Sequence, residues 1–170
     1  MTNTSDDSAL SANKRLQTGV AGLDELLGGG LVANGLYLIE GMPGAGKTIL
    51  ASQIAFNIAR KGMPVLFITL IAESHGKLLR HLREFSFFDE EVFSRQMVML
   101  SGFNELITGG LDALFKFLAE NVRRYKTTFL VLDGFASARE FAESPRALAS
   151  FIHNLNTLLT TTNTTTLLLA

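Results

Sequence analysis

What most constrains this 170-residue chain is a short glycine-rich stretch, GMPGAGKT, at residues 41–48. It lies between a strand-like run, LYLIE, and a helix-like run, ILASQIAFNIAR. The spacing Gly41-x-x-x-x-Gly46-Lys47-Thr48 is that of a phosphate-binding loop, which joins a strand to a helix. Glycine lets backbone amides turn toward an anion, and the following helix adds its N-terminal amides and the positive end of its dipole. The predicted nucleotide-binding residues are Gly41, Met42, Pro43, Gly44, Ala45, Gly46, Lys47, Thr48 and Ile49.

Two side chains of this loop, and one acid farther along the chain, carry the predicted chemistry. Lys47 would reach the β- and γ-phosphates and act as a catalytic residue, and the Thr48 hydroxyl would be a Mg²⁺ ligand. The apolar run FLVLD ends at Asp133, as in a Walker B strand. From the tip of a buried strand beside the loop, this carboxylate would orient the Mg²⁺ shell through water. The three residues together predict a site for nucleotide phosphates and Mg²⁺.

Hydrolysis also needs a group that polarises the attacking water. Glu73 follows the second strand-like run and is interpreted as this catalytic base. The alternative interpretation is a carboxylate that caps the helix beginning near Ser74. Glu40, immediately before the loop, is interpreted as a structural or supporting acid beneath the phosphates.

The rest of the chain alternates between two hydrophobic periods, which predicts an α/β fold. Near-continuous apolar runs are typical of parallel strands buried on both faces. Amphipathic helical patterns separate these runs, one stopping at Gly62 and the last beginning with Ser144 as a cap and Pro145 in the first turn. We therefore expect a mainly parallel sheet with helices on both faces. The predicted strands are residues 35–40, 63–70, 96–102, 127–133 and 164–170.

Composition narrows the classes of function. The net charge of −1 gives no basic field that would indicate DNA as a partner. The absence of cysteine excludes disulfides and thiolate metal sites and fits a reducing, cytoplasmic compartment. No apolar run reaches the roughly 18 residues of a membrane span, so no membrane partner is expected. Residues 1–14 are expected to be a mobile polar arm, and residues 15–170 one domain.

Two further clusters are interpreted as structural. His75 and His81 are six residues apart, which does not place two metal ligands on one helical face. The segment 81–96 carries four phenylalanines among charges, and we expect core and subunit packing there rather than a dedicated partner surface.

Upstream of the loop, the stretch LQTGVAGLDELLGGGL at residues 16–31 completes a recognisable pattern. Joined to the phosphate loop at this spacing, it resembles the KaiC-type branch of the RecA/RadA ATPase superfamily. The resemblance runs from about residue 15 to the last residue. It implies a RecA-like core, ATP as the ligand, and assembly into rings or filaments with nucleotide at the subunit boundary. The matching positions are Thr18, Gly19, Gly22, Leu23, Asp24, Leu26, Leu27, Gly28, Gly29, Gly30 and Leu31.

The chain also departs from the family pattern. Where the family resembles T-F-E-E-[ST]-P after the second strand, this chain reads TLIAESHG, which leaves Glu73 as the match to the second glutamate. This departure bears on the hydrolysis rate and not on nucleotide binding. Gly134 stands where the family commonly has serine, and we expect a small effect.

The resemblance further implies that strand 164–170 lies between the phosphate-loop strand and the Walker B strand. The chain is expected to be part of a longer ATPase, with the phosphate-loop strand left at a sheet edge. The basic residues that contact a neighbour's γ-phosphate, and the DNA-binding loops of recombinases, have no matching position here.

The expected function is Mg²⁺-dependent hydrolysis of ATP to ADP and phosphate in a homo-oligomeric ring or filament, in signalling or regulation, with an unknown protein partner. Three alternatives stay open: a KaiC-like serine/threonine (auto)kinase, a DNA recombination or repair mediator, and a nucleotide-gated scaffold that does not hydrolyse ATP.

Overall fold

The computed structural model describes residues 14–72 and 75–170, and the mobile arm predicted for residues 1–14 falls almost wholly outside these ranges. The described residues form an α/β domain. In chain order its elements are β1 (Arg15–Leu16), α1 (Leu23–Leu26), β2 (Leu31–Val32), β3 (Leu36–Ile39), α2 (Lys47–Ala59), β4 (Val65–Thr69), α3 (His75–Leu82), α4 (Glu90–Gln96), β5 (Met97–Ser101), α5 (Phe103–Arg124), β6 (Phe129–Asp133), α6 (Phe135–Glu140), α7 (Pro145–Thr161) and β7 (Thr165–Leu169).

Five of the strands form one parallel sheet in the order β3-β7-β6-β4-β5. The register aligns the strand ends, because Ile39 pairs with Leu169, Leu169 with Asp133, and Asp133 with Thr69. The last strand, β7, therefore lies between the phosphate-loop strand β3 and the strand β6 that ends in Asp133, as predicted. Within the described residues β3 is at one edge of the sheet, also as predicted.

Alternate residues of the central strands supply two hydrophobic clusters, one on each face of the sheet. On one face the strands pack with α5, α6 and α7, and on the other with α2, α3 and α4. In β6, for example, Leu130 and Leu132 belong to the first cluster, and Phe129 and Val131 belong to the second. The prediction of a parallel sheet with helices on both faces is confirmed.

Helix α7 starts where the sequence predicted, and the structure gives the bounds of the other helices. Ser144 caps α7 by accepting a hydrogen bond from the Ala147 amide at 3.1 Å, with Pro145 in the first turn, as expected. Helix α5 begins at Phe103, and the non-helical backbone of Gly110, with φ 61° and ψ −153°, kinks it. None of the helices in the described ranges is long and apolar enough to cross a bilayer.

The aromatic segment 81–96 contributes to the core, as predicted. Phe87 is buried, and its ring lies 5.8 Å from that of Phe56 in α2. Phe85, Phe88 and Phe93 are partly buried against the same cluster. These rings fix α4 and the preceding turn against the helix that follows the phosphate loop.

Candidate functional site

The glycine-rich loop occupies residues 40–46, between the end of β3 and the start of α2. Two of its glycines have left-handed backbone conformations, Gly44 with φ 81° and Gly46 with φ 85°. A Cβ atom at either position would have no atom within 4 Å, so backbone conformation rather than lack of space favours glycine there. The loop can therefore turn successive backbone amides toward one side, as anion binding requires.

The start of α2 leaves amide groups available to a ligand. The Leu50 amide donates to the Gly46 carbonyl at 2.9 Å and so makes the first hydrogen bond of the helix. The amides of Lys47, Thr48 and Ile49 precede it and have no acceptor within α2. Together with the positive end of the helix dipole, they favour an anion at this position.

Lys47 lies folded against the loop. Its Nζ donates to the carbonyl of Gly41 at 2.6 Å and to that of Met42 at 3.1 Å, both in exposed positions. The ammonium group thus lies at the exposed surface of the loop, where phosphate oxygens can replace these two carbonyls as its hydrogen-bond acceptors. The sequence did not predict these intramolecular contacts.

Thr48 and Asp133 meet across strand β7, which lies between β3 and β6. The Thr48 hydroxyl donates to Asp133 Oδ2 at 2.8 Å, and Asp133 is 7% exposed. The sequence places these residues 85 positions apart, and the sheet order brings them together because β6 and β3 flank β7. Hydroxyl and carboxylate oxygens are the ligands that Mg²⁺ prefers.

This arrangement fits a magnesium ion held jointly by protein and nucleotide. Within the described residues no group of three or more histidine, cysteine or acidic side chains could hold a metal by itself. Mg²⁺ usually binds through one or two protein oxygens together with substrate phosphates, which matches the Thr48–Asp133 pair beside the loop. Those two residues are the ones that would hold it.

A cavity of about 320 Å³ opens over the loop. Its lining comprises residues 44–49 of the loop and α2, together with Leu78 and His81 of α3. The sequence identified the loop residues but not the two from α3, since nothing in the pattern of that helix indicates which residues face the loop. The His81 side chain is mainly exposed, and its Nδ1 lies 3.9 Å from Glu84 Oε2.

A larger cleft of about 870 Å³ is lined by Glu40, Gly41 and Met42 at the start of the loop, together with residues of α6 and α7. Arg139 of α6 and Glu40 meet at its wall, with 3.3 Å between Nη1 and Oε1. We assign the phosphate site to the smaller cavity, because that is where the N-terminal amides of α2 lie. Glu40 thus pairs with Arg139, and its interpretation as a structural or supporting acid stays a prediction.

Glu73 and Ser74 lie outside the described residues, so both interpretations of Glu73 stay predictions. The strand that precedes them, β4, ends at Thr69, which pairs in register with Asp133.

The stretch that precedes the loop anchors the N-terminal segment on α2. Asp24 accepts hydrogen bonds from the Thr18 amide at 2.7 Å, the Thr18 hydroxyl at 2.8 Å and the Gly19 amide at 2.9 Å. Asn57 of α2 donates to the Thr18 carbonyl at 3.0 Å. Burial opposes ionisation of Asp24, but the hydrogen bonds from Thr18 and Gly19 and the charge of Lys61 outweigh it, so the pKa is lowered. The motif therefore supports the helix that carries Lys47.

A parallel α/β sheet with a phosphate loop at the end of one strand, and an acid at the end of a strand two positions away, defines a RecA-like P-loop domain. The family model described as "ATPase: KaiC" matches residues 16–170. The chain therefore belongs to the KaiC ATPase family.

Solved and curated relatives agree with this assignment. A KaiC-like protein from Pyrococcus horikoshii has a similar structure, with a TM-score of 0.76 at 27% identity over 93% of this chain and 70% of that one. The circadian clock oscillator protein KaiC of Synechococcus elongatus is 28% identical over 75% of this chain and 24% of its own length. A UPF0273 protein of Saccharolobus solfataricus is 36% identical over 58% of this chain and 34% of its own length. The matched segments thus span about a third or less of these two curated relatives.

Proposed function

We propose that this chain is the ATP-binding domain of a KaiC-like ATPase that hydrolyses ATP to ADP and phosphate. The observation that carries the proposal is the Thr48–Asp133 contact at 2.8 Å beside a loop with the backbone conformation suited to phosphate. Membership of the KaiC ATPase family supports nucleotide as the ligand. We further propose that the domain works within a homo-oligomeric ring or filament and in a signalling or regulatory process.

In the proposed reaction, water attacks the γ-phosphorus and the bond to the β–γ bridging oxygen breaks, which releases ADP and inorganic phosphate. The loop amides and Lys47 hold the phosphates and offset negative charge on their oxygens. Thr48 and Asp133 are the residues that would hold Mg²⁺, and the ion would supply positive charge that offsets negative charge on the phosphates. Glu73 is proposed to orient the attacking water and accept its proton.

A second candidate, a nucleotide-gated scaffold that does not hydrolyse ATP, is favoured by one feature of the sequence. The family's adjacent glutamates are reduced to Glu73 alone in the stretch TLIAESHG. Such a protein would bind Mg·ATP with the same loop and exchange it without chemistry.

Steady-state phosphate release separates the two functions. We expect wild type to release phosphate and Glu73→Gln to bind Mg·ATP but release phosphate on the order of 100-fold more slowly, as for loss of a positioned general base. Glu84→Gln is the matched control, since Glu84 is an exposed glutamate of the same region. Wild type that binds Mg·ATP and releases phosphate no faster than Glu73→Gln would contradict hydrolysis and favour the scaffold.

A further inference from the structure

One wall of the cavity over the phosphate loop is formed by α3. Leu78 and His81 of that helix line the cavity together with residues 44–49. The two side chains are three residues apart, so they lie on one face of the helix. Leu78 packs against the hydrophobic cluster that contains α2, and Leu82, at the end of α3, is buried in it. The packing of the helix thus places His81 at the cavity.

The imidazole of His81 is held by ring packing and keeps its capacity for hydrogen bonding. Its centroid lies 5.3 Å from that of Phe85, edge to face at 90°, and Phe85 packs in the same cluster as Leu78. Its Nδ1 is 3.9 Å from Glu84 Oε2, beyond hydrogen-bond distance. Within the described residues no hydrogen bond occupies either ring nitrogen. A ring nitrogen is therefore available to a ligand.

The groups around the cavity suit a phosphate. Among the described residues that line it none is acidic, and the side chains that can carry positive charge are Lys47 and His81. The amides of Lys47, Thr48 and Ile49 precede the first hydrogen bond of α2 and are further donors. A neutral imidazole donates one hydrogen bond and a protonated imidazole donates two. His81 can therefore add a donor to this set in either state.

We infer that His81 is a nucleotide-binding residue that donates a hydrogen bond to the phosphate groups held by the loop. His81 has this role only if the loop binds nucleotide, so the inference rests on the proposed function. Direct contact is supported by the geometry, since the loop, Lys47 and His81 all line one cavity of about 320 Å³. The phosphate site then includes a helix that lies outside the phosphate-loop motif.

Equilibrium binding of two ligands in the presence of Mg²⁺ tests this role. One is a fluorescent ATP analogue that cannot be hydrolysed. The other is inorganic tripolyphosphate, which has the phosphates of ATP without the nucleoside and is measured by displacement of the analogue. His81→Ala removes the imidazole, and His81→Lys replaces it with another donor. His153→Ala is the matched control, at an exposed histidine of α7, which packs on the other face of the sheet.

We expect His81→Ala to weaken the binding of both ligands by about fivefold, which is the effect of losing one hydrogen bond. His81→Lys should bind both ligands more tightly than His81→Ala does, because an ammonium group also donates to phosphate. His153→Ala should match wild type. Without nucleotide, the melting temperature of His81→Ala should stay near that of wild type, because the side chain is mainly exposed.

The inference is overturned if His81→Ala binds both ligands as tightly as His153→Ala does. It is also overturned if only the ATP analogue binds more weakly, since the imidazole would then contact the nucleoside, or if His81→Lys binds no better than His81→Ala.

If His81→Ala does not fold, His81→Leu, which keeps an apolar side chain beside Phe85 and has no donor, is measured under the same criteria. Failure of both variants to fold overturns the inference, because packing would then be the role of His81. Wild type that binds neither ligand overturns the proposed function as well. Wild type that binds both, with no loss in His81→Ala, overturns this inference alone.

Discussion

Replacing Thr48 with valine tests the contact on which the site assignment depends. Valine keeps the shape of threonine and removes the hydroxyl that donates to Asp133 Oδ2 at 2.8 Å. Asp133 is 7% exposed, so water cannot fully replace this donor. Hydrogen bonds to charged groups contribute about 1.5–3 kcal/mol, and because Asp133 makes other interactions we expect a loss of about 2 kcal/mol.

For a domain of this size, a loss of about 2 kcal/mol lowers the melting temperature by roughly 4–8 °C. The assay is thermal and urea unfolding followed by circular dichroism, with EDTA present and nucleotide absent, so that only the intramolecular contact is measured.

Thr166→Val is the matched control for this prediction. Thr166 is fully buried in β7, and its hydroxyl has no hydrogen-bond partner in the part of the chain that the structure describes. Replacing an unpaired buried hydroxyl by a methyl group should leave stability unchanged or raise it by about 1 kcal/mol. The reasoning is refuted if Thr48→Val destabilises the protein no more than Thr166→Val does.

Three more outcomes follow from other parts of the structure. Asp24→Ala should lower the free energy of unfolding by about 2 kcal/mol, because three donors lose their acceptor. Glu25→Ala, at the exposed neighbouring residue, should lower it by almost nothing. Equal losses for the two variants in urea unfolding would contradict this. Folding lowers the pKa of Asp24 from 3.8, so the stability that its carboxylate contributes is present above that value and is lost as pH falls through the folded pKa. The difference in unfolding free energy between wild type and Asp24→Ala should therefore be constant near neutral pH and shrink in acid. A difference that widens in acid would contradict this. Leu38 is 52% exposed on the edge strand β3 and should promote self-association of the protein. Leu38→Lys should suppress this self-association, whereas Leu26→Lys, on α1, should not. Light scattering that finds wild type monomeric at every concentration would exclude edge pairing.

The sequence predicted the sheet and the phosphate loop because both have strong local patterns. Continuous apolar runs marked each of the five strands, and the loop motif fixed the junction of β3 and α2. The proximity of Thr48 and Asp133 was also predicted, from the Walker B pattern of FLVLD, and the resemblance implied that β7 lies between their strands. Local periodicity by itself does not give strand order.

The short helices and strands were not predicted, because two to seven residues show too little hydrophobic periodicity. The β1–β2 pair has two residues in each strand, and α6 has six residues. For α4 a usable signal existed, since Asp89 is followed by two glutamates and its side chain accepts from the Glu91 and Val92 amides.

Other contacts between distant segments could not be predicted. The position of His81 in the loop cavity depends on how α3 packs.

The claim that this loop binds nucleotide is tested most directly by calorimetric titration of the protein with Mg·ATP. Wild type is compared with Lys47→Ala and with the control Lys116→Ala, at an exposed lysine of α5. We predict saturable binding to wild type and to Lys116→Ala, and loss of binding in Lys47→Ala, because Lys47 is the ammonium group at the mouth of the loop. Wild type that binds no Mg·ATP, or Lys47→Ala that binds it as tightly as wild type, would contradict the assignment of this loop as the nucleotide site.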